Sequence, residues 1–230
     1  MNEREALLRA ICDNPDDDTP RLVFADWLQE NGDEARAEFI RVSCAMRTPD
    51  LPDAEFRAIS ARAEHLRRTH GSDWKYELPQ MPLSVMYSTQ HRYVPPGLQW
   101  GEFRRGFIES VRITDEGIAL FLKDQDRIFA TTPIREIDIG RSKIPSSRGT
   151  FRSFRYFHRI EVICNTLNQE WGWGARPQIA AFLDYPQLSR LRAVHLIGDA
   201  RGLAEAEPVL RPILGDRLIL TLEIIHPRRR

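Results

Sequence analysis

Five short segments in the second half of the chain alternate apolar with polar residues, and they recur at near-regular intervals. They are Phe107 to Ile113, Ile134 to Ile139, Ile160 to Cys164, Leu191 to Leu196 and Leu218 to Ile224. Alternation of period two marks a strand that buries one face and shows the other. Aligning Val111, Ile137, Val162, Val194 and Leu220 gives spacings of 26, 25, 32 and 26 residues. Three of the four intervals fall within the roughly 20–29 residues of a short strand-plus-helix repeat unit.

Helical patterns occupy several of the gaps. Thr114 or Asp115 can cap a helix whose apolar side is Ile118, Leu120, Phe121, Leu122, Ile128 and Phe129. Pro177 opens a second, with Ile179, Ala180, Phe182 and Leu183. Leu203 to Leu214 is helical in pattern, but Pro208 and Pro212 are expected to interrupt it. Strand–helix units joined by short loops make neighbouring strands parallel, because an antiparallel pair needs only a hairpin.

Residues 132–139 and 185–196 resemble leucine-rich-repeat strands. The resemblance covers about residues 104–225 and departs from the family at its asparagine position. Ser142 or Lys143 stands there in one unit, and Asp199 in the next. The resemblance therefore implies a short, irregular leucine-rich-repeat-like solenoid with a parallel sheet. The runner-up is a compact α/β domain with a mixed sheet.

The first part of the chain has the 3.6 period of helices. Ala6, Leu7, Leu8, Ala10 and Ile11 form one stripe, broken at Asn14-Pro15. Thr19 or Asp18 caps the next helix, and Pro20 suits its first position. Its expected buried side is Leu22, Val23, Phe24, Ala25, Trp27 and Leu28. Asn31-Gly32-Asp33 ends it and starts a third, running from Glu34 to Met46. A fourth is expected from Asp53 to about His70, stopped by Gly71. Asp26, inside an apolar stretch, is expected to pair with Arg41 or Arg21 as a structural device. The run Asp16-Asp17-Asp18 is read as helix capping, since three successive carboxylates do not converge on one metal.

The run from Asn14 to Asp33 contains Ala25-Asp26-Trp27-Leu28 and is followed by Ala37-Glu38-Phe39-Ile40-Arg41-Val42. In that order these residues resemble the planctomycete repeat-companion domain, a family named for sitting beside repeats. The match spans roughly residues 3–46. It implies the company of a repeat array, and it carries no catalytic residues over.

These readings divide the chain into an acidic helical domain (1–78), a proline- and aromatic-rich ordered linker (79–105) and a leucine-rich-repeat-like α/β domain (106–230). The helical part is expected to cover the open edge of the repeats. Charge follows a similar division. Residues 1–40 hold eleven acidic and four basic residues, so the zero net charge of the whole combines −7 with +7. No stretch approaches the ~20 apolar residues of a membrane span. The N-terminus lacks an apolar leader core, and three separated cysteines do not form a disulfide framework. A cytoplasmic location, without membrane association, is the expectation.

Chemical motifs are missing. No GxGxxG, GxxxxGK[ST] or GxSxG occurs, and no Cys/His spacing suits zinc. No catalytic residue, metal or small-molecule cofactor is assigned, and the expected role is a non-catalytic protein–protein interaction or accessory-subunit module. Its contact residues are read as Trp171 and Trp173, on glycine hinges, with Asp138 and His195 on the strands. The alternative is a nucleic-acid-associated factor. It would use Arg148, Arg152, Arg155 and Arg159, which are interleaved with aromatics and so suited to phosphates and bases.

Overall fold

In a computed structural model of the protein, the residues described are 2–79, 97–139, 154–167, 183 and 188–222. Among them are six α-helices, a six-stranded sheet that is mostly parallel, and a separate two-stranded hairpin. No described helix is long and apolar enough to cross a membrane. Two compact units interleave along the chain. The first comprises Met1–Gln80, Trp100–Glu109 and Asp126–Ile134, and the second Met81–Gln99, Ser110–Gln125 and Arg135–Arg230. Residues 100–109 and 126–134 thus belong with the N-terminal helices in the first unit.

The first unit begins with α1 (Glu3–Asp13), α2 (Thr19–Glu30), α3 (Glu34–Ala45) and α4 (Asp53–Tyr76). Local chemistry sets their starts. At α1, Asn2 Oδ1 accepts from the Glu5 amide at 2.8 Å while Glu5 Oε2 accepts from the Asn2 amide at 3.1 Å, a reciprocal capping box. At α3, Asp33 Oδ1 accepts from the Arg36 amide at 3.1 Å. At α2, Asp18 occupies the cap position without a side-chain bond to the helix amides, and Asp17 Oδ1 accepts from the Thr19 amide at 2.8 Å instead.

Leu8, Ile11, Phe24, Ala25, Leu28, Ala37 and Ile40 form one apolar cluster, and Phe39, Ala63, Leu66 and Trp74 a second. Two expected members of the α2 core turn outward: Leu22 is 40% and Val23 46% exposed. Gly71 does not stop α4, which continues to Tyr76. A helix interior tolerates glycine at a modest cost, and here Trp74, one turn beyond, is buried and stacks on Phe39 at 4.9 Å.

Residues 107–113 were expected to form one strand, but they split at Glu109. Strands β2 (Phe103–Arg104) and β3 (Phe107–Ile108) close an antiparallel hairpin over Arg105-Gly106. Both turn residues have positive φ, 48° and 83°, the requirement of the tight turn whose twist matches the strands. Gly106 is needed for a second reason: a Cβ there would stand 2.5 Å from Ile40 Cγ1 and 2.9 Å from Ile40 Cα.

The six-stranded sheet has the order β1 (Leu98–Trp100), β4 (Ser110–Ile113), β5 (Glu136–Asp138), β6 (Val162–Thr166), β7 (Ala193–Gly198) and β8 (Leu218–Leu222). From β4 to β8 every pair is parallel. Register places Val111, Ile137, Ile163, Val194 and Leu218 side by side, and all five are buried. The observed offsets are thus 26, 26, 31 and 24 residues. The sequence alignment is correct at three strands, one residue early at β6 and two late at β8.

Helix α5 (Asp115–Thr131) lays Ile118, Phe121 and Leu122 against Ile113, Ile137 and Ile139 of this inner face. Helix α6 (Ala200–Leu214) buries Leu203, Ala206, Leu210 and Leu214. It is not interrupted at Pro208 or Pro212, contrary to expectation. Both prolines lie on its exposed side, where the carbonyls that lose a donor can turn to solvent.

Candidate functional site

The outer face of the second unit's sheet carries the polar residues that the alternation sends away from the core. Register aligns Arg112, Asp138, Cys164, His195 and Ile219 across five successive strands. Asp138 and His195, singled out from sequence, therefore lie in one row, two strands apart. Arg112 and Cys164 complete it, and sequence reading missed both. The missing signal was register: placing Val162 rather than Ile163 on the core face turns Cys164 inward, since one residue of slip reverses a strand's faces.

The row changes character along its length. At one end Arg112 Nε donates to Asp138 Oδ2 at 2.6 Å, with the arginine side chain half exposed. In the middle Cys164 Sγ donates to Glu136 Oε1 at 3.8 Å. The His195 side chain is partly exposed, and its backbone pairs with Cys164 on one side and Ile219 on the other. At the far end Ile219 is 41% exposed. Below the row, Arg135 is paired with Glu161, and Arg192 Nη1 lies 3.9 Å from the same carboxylate.

A cysteine and a histidine in register on neighbouring strands raise the question of a nucleophile. Burial, then the negative charges of Glu136 and Asp138, push the Cys164 thiol up to about 12. At neutral pH it is a neutral thiol, and the thiolate is the reactive form. The row presents an ion pair, a thiol, an imidazole and an exposed isoleucine on one face of the sheet.

Trp171, Trp173, Arg148 and Arg152 lie outside the described residues. Arg155 is exposed, and its amide donates to Gln125 Oε1 at 2.8 Å. The Arg159 guanidinium lies 5.5 Å from the centre of the Tyr156 ring. Phe154 and Phe157, between them in sequence or adjacent, are buried, and Phe154 packs edge-on against Phe121 at 5.2 Å. These two rings are spent on packing and do not offer a stacking surface.

In the first unit the most enclosed charges are structural. Arg21 is fully buried. Its Nη2 donates to Glu109 Oε1 at 2.8 Å and to the Pro15 carbonyl at 2.9 Å, and its Nη1 to the Arg105 carbonyl at 3.2 Å. Arg105 donates to the same Glu109 oxygen at 3.1 Å and to Asp18 Oδ1 at 3.2 Å. The expected Asp26–Arg41 pair is present at 2.6 Å, yet the Asp26 side chain is 66% exposed rather than buried.

No protein family, curated protein or solved structure matches this chain.

Proposed function

We propose that the chain is a non-catalytic protein–protein interaction or accessory-subunit module, and that its contact surface includes the outer row Arg112, Asp138, Cys164, His195 and Ile219. The observation that carries this reading is the row itself: five in-register positions graded from an ion pair to an exposed isoleucine. A mixed strip of this kind suits a protein surface, where a few apolar and charged anchors set register. Trp171 and Trp173 are the second part of the proposed contact. The parallel units, at offsets of 26, 26, 31 and 24 residues, support reading the second unit as an irregular leucine-rich-repeat-like solenoid. The helices α1 to α3 support reading the first unit as a bundle of the repeat-companion type.

The test is capture of partners from the native cytoplasmic lysate by tagged full-length chain, at low and high salt, with and without nuclease. A stoichiometric protein that survives salt and nuclease, and is lost with Asp138→Ala plus His195→Ala at unchanged melting temperature, is the expected result. Partners that vanish with nuclease would instead favour nucleic acid held by the arginine-rich run, because phosphate contacts weaken steeply with salt.

A further inference from the structure

Arg36 stands in the first turn of α3. Four aromatic rings surround its guanidinium carbon: Trp74 at 4.6 Å, Phe103 at 5.2 Å, Phe107 at 5.5 Å and Phe39 at 5.9 Å from their centroids. Such faces attract a cation, but they accept no conventional hydrogen bond. Nη1 is buried and has no hydrogen-bond partner. Elsewhere in the same unit Arg4, Arg21, Arg41, Arg62, Arg67 and Arg105 each face a carboxylate within 4 Å. Burial draws the Arg36 guanidinium down to about 10, so it remains a cation at neutral pH.

The cage borders a cavity of about 70 Å³, lined among others by Arg36, Trp74, Phe103 and Phe107. Asp33 and Glu77 also line it, but both are engaged. Asp33 Oδ1 accepts from the Arg36 backbone amide at 3.1 Å, and Glu77 Oε2 pairs with Arg4 Nη2 at 2.9 Å. A desolvated guanidinium with an unused donor is costly unless something accepts from it. Its planar fork matches a carboxylate.

We propose that this cavity is a carboxylate-binding socket, in which the Arg36 fork receives one carboxylate group while the aromatic rings hold the fork in place. Size favours that head group. A cavity of about 150 Å³ admits benzene, and one half as large suits the three heavy atoms of a carboxylate. Charge favours it over phosphate, because Asp33 and Glu77 repel a dianion more than a monoanion. The socket lies in the first unit and does not depend on the outer row of the second.

The experiment follows the arginine side-chain resonances of the full-length chain labelled with nitrogen-15. Arg36 is identified by the upfield displacement its four rings impose and by its loss in Arg36→Lys. Sodium acetate is titrated against sodium chloride at matched ionic strength, and a capped tetrapeptide with a single glutamate forms a second arm. A saturable shift of the Arg36 signal with acetate, and none with chloride, is expected. Exposed Arg9 serves as the control and should not move. Peptide binding at least about tenfold tighter than acetate, a difference of about one decade in Kd, identifies an acidic side chain as the source; equal binding identifies a free small acid. Absence of a saturable acetate shift overturns the proposal. So does a shift of the same size produced by Glu77→Gln alone, which would mean that Arg36 pairs internally. Both readings use folded protein with Arg36 in place, so they stand even where Arg36→Lys does not fold.

Discussion

Glu109 Oε1 accepts from Arg21 Nη2 at 2.8 Å and from Arg105 Nη2 at 3.1 Å, so one buried carboxylate oxygen serves two buried guanidinium groups. Removing its charge leaves both cations in a poorly solvated site, with Asp18 the nearest acid to Arg105. Breaking a buried pair from one side costs about 3–5 kcal/mol. Glu109→Gln is therefore expected to lower the unfolding free energy, read from urea denaturation, by an amount in that range. Asp26→Asn breaks the shorter 2.6 Å contact to Arg41, yet both partners there are solvated, and exposed pairs are worth less than about 1 kcal/mol. Equal losses from the two variants would contradict the assignment of stability to burial rather than to distance.

The glycines of the first unit give opposite expectations for one substitution. Gly71 sits inside α4 with ordinary φ, and an added Cβ would meet Arg67 Cγ and Phe103 Cε2 at 3.5 Å, normal contact distance. Gly71→Ala should stabilise the protein by about 0.5–1 kcal/mol, because alanine loses less backbone entropy in a helix. Gly106→Ala meets the backbone of Ile40 and a φ of 83° together. It should cost about 2 kcal/mol or more, from overpacking and left-handed strain. Thermal unfolding of the two variants checks both signs.

Two thiols make the fold sensitive to alkali. Burial raises Cys44 to about 11, and burial with Glu136 and Asp138 raises Cys164 to about 12, from an ordinary value of 9.0. Between about 9 and these values the unfolded chain releases protons that the folded chain keeps. The unfolded state then binds fewer protons, and stability falls as pH rises through that window. The melting temperature between pH 8 and 10.5 should drop more steeply for the natural chain than for Cys44→Ala plus Cys164→Ala. Native Cys164 should also react slowly with a disulfide reagent at pH 8, despite its partial exposure.

Much of this architecture was legible because it rests on local rules. The capping signals at Asn14–Thr19 and Asn31–Asp33 placed the first three helices to within a residue or so. Period-two alternation found five strand regions, and the spacing found their parallel order. What failed depends on partners distant in sequence. Arg21 reads as a possible partner of Asp26, and the contacts that hold it fully buried come instead from Arg105 and Glu109, more than eighty residues away. Phe107 to Ile113 reads as one strand, and only the Arg105-Gly106 turn divides it. Cys164 entered the outer row through the inter-strand register, which a one-residue misalignment at β6 conceals. Arg36 carries no sequence signal at all: its four rings come from α3, α4 and the hairpin.

Asn165 supplies a last expectation. It lies on β6 in the row of Leu196 and Leu220, is fully buried, and neither Oδ1 nor Nδ2 has a hydrogen-bond partner. A buried amide without partners carries a desolvation penalty of about 1–3 kcal/mol. An apolar side chain of similar reach would remove the penalty and add burial, so Asn165→Leu should raise stability by about 1 kcal/mol or more. Its neighbour Thr166 is half-buried on the opposite face, and Thr166→Val, which changes no buried amide, should leave the midpoint almost unmoved. Chemical denaturation at neutral pH decides the matter: a destabilised Asn165→Leu would mean that this amide is satisfied in solution and that the polar position in the core row is there to be used.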